Sequence, residues 1–178
     1  MNATRRLHDL GQSLWLDNIT RDMLSDGMLK GYIDELSVTG LTSNPTIFDQ
    51  AIRKSATYDA EIASHASSQS EEDIFFALAL NDLSRAAQLF YPTFERTDRV
   101  DGWVSLEVSP LLAHDTERTV AAARMLHERA RQPNLFIKIP GTPEGLPAIE
   151  RAIFAGVLVN VTLLFSDAQS HPMPIFVV

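Results

Sequence analysis

Apolar positions along the chain follow two rhythms. Short runs rich in branched and aromatic side chains alternate with longer stretches in which apolar residues recur every three or four positions. The short runs read as strands: SLWLD at 13–17, VTGLTSN at 38–44, GWVSLEV at 102–108, NLFIKIP at 134–140 and VLVNVTLLF at 157–165. The longer stretches read as helices. Strands separated by helices predict a parallel α/β fold.

Between the last three strands, Asp115 is placed to cap a helix whose Ala121, Ala122, Met125 and Leu126 share a face. Thr142 and Pro143 open a second helix, with Leu146, Ile149 and Ile153 at helical spacing and Gly156 as its stop. Both suit right-handed crossovers. The separation of 63 positions between Asn44 and Glu107 is about twice a βαβ unit of ~30 residues, which predicts additional helices there. Asn44-Pro45 marks one helix start, and Ser70 with Glu71, Glu72 and Asp73 marks a longer one. No repeat, low-complexity tract or charge block marks a boundary, so a single domain over 1–178 is expected.

Composition narrows the chemistry. With no cysteine, disulfides and thiolate nucleophiles are excluded, and the five histidines fall at no metal-binding spacing, so no metal site is expected. A net charge of -8 without a Lys/Arg cluster argues against nucleic acid, while a small phosphorylated substrate needs only a few local cations. No apolar run is long enough to span a membrane and no secretory signal opens the chain, so a cytoplasmic protein is expected.

Each predicted strand carries a chemically capable residue at or near its C-terminal end. These are Asp17, Asn44, Glu107, Lys138, and Asn160 with Thr162. Parallel strands bring their C-terminal ends to one rim, where (β/α)8 barrels place their active sites. Side-chain alternation puts Phe136 and Lys138 on one face and Leu135, Ile137 and Ile139 on the other. A lysine among apolar strand residues loses hydration in its charged form, which favours a free amine able to attack a carbonyl. That points to a Schiff base with a ketone or aldehyde, needing no cofactor, with Asp17 and Glu107 as candidate bases.

Five ordered blocks carry a family resemblance: LWLDNITR from Leu14, GLTSNPTIF from Gly40, WVSLEVSP from Trp103, FIKIPGTPEGLPAI from Phe136 and VNVTLLFS from Val159. Together they resemble the transaldolase family of Schiff-base-forming class I aldolases, over about residues 10–166. The long helical interval before the third block is more like the longer transaldolases than the short fructose-6-phosphate aldolases. The resemblance implies a (β/α)8 TIM barrel with extra helices between strands 2 and 3. It implies Lys138 as the nucleophile, Asp17 as the acid/base at the donor C4 hydroxyl, Glu107 and Thr162 as handlers of a catalytic water, and Asn44 and Asn160 as hydrogen-bond partners of a three-carbon unit. Thr42 and Ser43 share the Asn44 loop and are read as structural. The implied reaction, part of the pentose phosphate pathway, passes a dihydroxyacetone unit from sedoheptulose 7-phosphate or fructose 6-phosphate to erythrose 4-phosphate or glyceraldehyde 3-phosphate.

The family pattern continues with further strands after VNVTLLFS, whereas this sequence runs from Ser166 as SDAQSHPMPIFVV, in which Pro172 and Pro174 oppose a helix. Residues 166–178 are therefore read as a divergent end, as after a premature stop, and the barrel as incomplete, with strands 1–5. The expectations that follow are self-association through open barrel edges, poor stability and weak activity. The alternatives are a catalytically impaired fragment or a fructose-6-phosphate aldolase-like lyase that needs no acceptor.

Overall fold

The structure of the chain, a computed structural model, describes residues 3–164. The divergent end read at 166–178 lies outside them. Contacts group the chain into two compact units, Met1–Val104 and Ser105–Val178.

The first unit contains α1 (Ala3–Asp9), β1 (Leu14–Leu16), α2 (Arg21–Ser25), α3 (Met28–Leu36), β2 (Val38–Thr42), α4 (Pro45–Lys54), a 3-10 turn (Ala56–Tyr58), α5 (Asp59–His65) and α6 (Glu71–Arg96), then enters β3 (Trp103–Glu107). The second continues from β3 through a 3-10 turn (Pro110–Leu112), α7 (Thr116–Ala130), β4 (Leu135–Pro140), α8 (Gly145–Phe154) and β5 (Val159–Thr162). The strand order is β1-β2-β3-β4-β5. This is an α/β fold of the (β/α)8 type with five parallel strands and added helices between the second and third.

Local chemistry sets the element ends. Asn44 caps α4, its side-chain oxygen accepting the Thr46 N–H at 2.9 Å, with Pro45 in the first turn where no donor is needed. The Ser70 hydroxyl accepts the Asp73 N–H at 3.1 Å, and three acidic residues in the first turn of α6 complement the helix dipole. At the other end of α6 the chain must turn sharply into β3. Gly102 makes that turn at φ +85°, and its N–H donates to the Thr39 carbonyl of β2 at 2.7 Å.

Ile19, Leu29, Leu41, Phe48, Leu83 and Phe90 are fully buried in the first unit. The second buries Leu126 of α7, Leu135, Ile137 and Ile139 of β4, and Ala148 and Ala152 of α8. The β4 alternation is as its sequence requires: Leu135, Ile137 and Ile139 are buried while Phe136 and Lys138 are partly exposed.

Three details of the sequence reading are corrected. The buried face of α7 is Val120, Ala123, Leu126 and Ala130; Leu126 lies on it as expected, whereas Ala121 and Met125 are exposed, because the contact stripe is rotated by about one position toward the C-terminus from the expected one. The second helix begins at Gly145 rather than Thr142. Thr142 stays outside as a hydroxyl that accepts the Gly145 N–H, and Ile153 falls on the exposed side. The last strand stops at Thr162, since Leu163 takes φ +64° and leaves the extended region.

Candidate active site

Two strand pairings in the second unit place the candidate groups. Val108 N–H donates to the Lys138 carbonyl at 3.1 Å, tying the end of β3 to β4. In the parallel β4–β5 pair, Lys138 stands opposite Asn160 and Pro140 opposite Thr162. With a side-chain period of two, Ser105 and Glu107 share one face of β3, and Asn160 and Thr162 share one face of β5.

The Lys138 ammonium lies 3.3 Å from a Glu107 carboxylate oxygen, and both side chains are largely enclosed, at 13% and 14% exposure. Burial disfavours a lone charge, so pairing is what makes two ionised groups tolerable here. The pair also sets a proton donor beside an acceptor. An ammonium is not a nucleophile until its proton leaves, and Glu107 is in position to receive it. The Asn160 amide donates to the Ser105 hydroxyl at 3.3 Å, which turns Asn160 along the same face. Ser105 was missed in the sequence, although its position two residues before Glu107 on the same strand face was available as a signal.

Asp17 and Asn44 belong to the first unit. Asp17 directly follows β1 and is exposed. Asn44 is half-buried at the start of α4, where its oxygen serves as the helix cap and its NH2 group takes no part in that bond. Thr42 ends β2, its hydroxyl directed at the Ser43 carbonyl at 3.5 Å.

The loop after Asp17 is anchored by a buried charged cluster that sequence reading also missed. Arg21 donates through Nε to Asp82 at 2.9 Å and through Nη1 to Glu61 at 2.6 Å, and its guanidinium lies 4.4 Å from the Tyr58 ring centroid. The Tyr58 hydroxyl donates to the other Asp82 oxygen at 2.8 Å and accepts the Arg21 backbone N–H at 2.9 Å. Burial pushes the Asp82 carboxyl up further than these hydrogen bonds pull it down, and burial likewise raises the Tyr58 phenol. Among the described residues, no group of His, Asp and Glu side chains is arranged to hold a metal ion.

The description Transaldolase/Fructose-6-phosphate aldolase belongs to the family model that matches residues 14–172. The chain belongs to the transaldolase/fructose-6-phosphate aldolase family. Curated transaldolases are similar to it along nearly its whole length. That of Thiobacillus denitrificans is 48% identical over 96% of this chain and 48% of its own length. Those of Trichodesmium erythraeum and Thermobifida fusca are 45% and 48% identical over 93% and 91% of the chain, each across 44% of the relative. The chain thus spans about half the length of the curated relatives it matches.

Proposed function

We propose that the chain catalyses transaldolase chemistry, transferring a dihydroxyacetone unit from sedoheptulose 7-phosphate or fructose 6-phosphate to erythrose 4-phosphate or glyceraldehyde 3-phosphate through a Schiff base on Lys138. The observation that carries this reading is the enclosed Lys138–Glu107 pair beside Asn160, in a chain whose similar relatives are named Transaldolase.

The steps balance without a cofactor. Glu107 takes a proton from the Lys138 ammonium, and the amine attacks the C2 carbonyl of the ketose phosphate to give a carbinolamine. Glu107 and Thr162, acting through a water molecule, return a proton to the departing hydroxyl, and water leaves to give the iminium. Asp17 removes the C4 hydroxyl proton. The C3–C4 bond breaks, its electron pair flows into the iminium to give an enamine, and an aldehyde phosphate departs. The enamine then attacks the acceptor aldehyde, Asp17 returns the proton, and water releases the new ketose. Asn44 and Asn160 hydrogen-bond the three-carbon unit throughout.

The reading takes the protein to be cytoplasmic. No helix among the described residues is long and apolar enough to cross a membrane. The test is acceptor dependence. With fructose 6-phosphate as donor, glyceraldehyde 3-phosphate should appear only when erythrose 4-phosphate is added, with sedoheptulose 7-phosphate formed in equal amount. Release without acceptor would make the chain a lyase, and no release in either case would contradict turnover.

A further inference from the structure

A concave site lies in the first unit, built from side chains that the proposed chemistry does not use. A cavity of about 460 Å³ is lined by Arg5 of α1, by Lys30, Ile33 and Asp34 of α3, and by a stripe of α6 that includes Gln88, Pro92, Thr93 and Arg96. Its size is within the ~300–1,000 Å³ usual for small-molecule sites. Three of its lining residues are cationic and one is acidic, a local excess of positive charge on a chain whose net charge is -8.

The polar groups differ in how they are already engaged. Lys30 is paired with Asp34 at 2.5 Å and Arg5 with Asp9 at 3.7 Å, both at exposed positions where exchange of partner costs little. Arg96 meets the Thr93 hydroxyl at 3.2 Å rather than a carboxylate. Pro92 lies inside α6 and has no N–H to give the Gln88 carbonyl four residues earlier. Gln88 and Pro92 both line the cavity, where the Gln88 side-chain amide can donate and accept hydrogen bonds. Ile33, Leu89 and Pro92 provide an apolar floor for a short carbon skeleton.

From this set we infer that the cavity binds a small phosphorylated molecule carrying hydroxyl groups. Arg96, Lys30 and Arg5 hold the phosphate, and the Gln88 amide and the Asp34 carboxylate hydrogen-bond the hydroxyl groups. The inference is independent of the Lys138 chemistry, and its test keeps the two apart by using glycerol 3-phosphate, which has no carbonyl and cannot form an imine. Calorimetric titration of the full chain should show saturable binding that weakens with added salt. The Lys138→Ala variant should bind equally well, and Arg96→Gln and Lys30→Gln, both at exposed positions, should each weaken binding by about tenfold, the loss of one charge-assisted contact. Absence of saturable binding, unchanged affinity in both cavity variants, or loss of binding in Lys138→Ala would overturn the site. Inorganic phosphate binding as tightly as glycerol 3-phosphate would overturn the hydroxyl-bearing class.

Discussion

At the scale of the residue, Lys138 is informative because it interrupts an apolar run, and its partner gives it a route to the free amine. Glu107→Gln keeps the shape of the pair and removes the proton acceptor. It should slow imine formation at Lys138 by ~10²-fold, the lower range for a positioned general base, with an unchanged circular dichroism spectrum. An unchanged trapping rate would assign the proton transfer elsewhere. The Arg21–Tyr58–Asp82 cluster makes a different prediction. Asp82→Ala leaves a buried guanidinium and a buried phenol without their acceptor, and should cost roughly 3 kcal/mol in urea unfolding. Burial raises the Asp82 carboxyl, so the folded chain holds that proton more tightly than the unfolded chain does. Its contribution to stability is then greatest in acid and declines as pH rises from the ordinary carboxylate value through the raised one. Asp82→Asn should remove that decline, so the difference in urea midpoint between parent and variant should vary across that window and be constant above it. Lys138 and Glu107 were legible because each stands near the end of a recognisable strand. The cluster was not, because its members are 37 and 61 residues from Arg21 and leave no local pattern.

At the scale of the element, all five strands were legible from short apolar runs, and the starts of α4, α6 and α7 from Asn44, Ser70 and Asp115. The faces of α7 and α8 were less so. Periodicity gives a spacing, but alanines repeat through α7 and apolar residues cover both sides of α8, where Phe154 is 94% exposed. Thr142 was read as a helix opener and acts instead as a joint. Its hydroxyl donates to the Ala113 carbonyl at 2.6 Å and accepts the Gly145 N–H at 2.9 Å. Thr142→Val, nearly equal in shape, should cost ~1–2 kcal/mol through those two lost bonds, measurable as a lower urea midpoint at unchanged slope. Gly102→Ala should be more severe. A Cβ there would sit 2.3 Å from the Phe94 backbone nitrogen at a backbone angle that side chains avoid, and the expected loss of more than ~2 kcal/mol would show as a depressed melting temperature. A melting temperature equal to the parent's would contradict the placement of the α6–β3 turn.

For the whole molecule, the family was legible because its motifs sit at strand ends in fixed order, and the family model spans residues 14–172. What could not be read from the sequence was how contacts divide along the chain. The division into two units falls within β3, a strand whose composition gives no sign of a boundary. The central claim is that Lys138 is the imine-forming nucleophile. Its most direct test is to incubate the chain and a Lys138→Ala variant with fructose 6-phosphate, reduce with borohydride, and map adducts by peptide mass spectrometry, with the Thiobacillus denitrificans relative as a positive control. The account predicts an adduct on the peptide containing Lys138 and none in the variant. An adduct on a different lysine, or none while the relative labels, would contradict it.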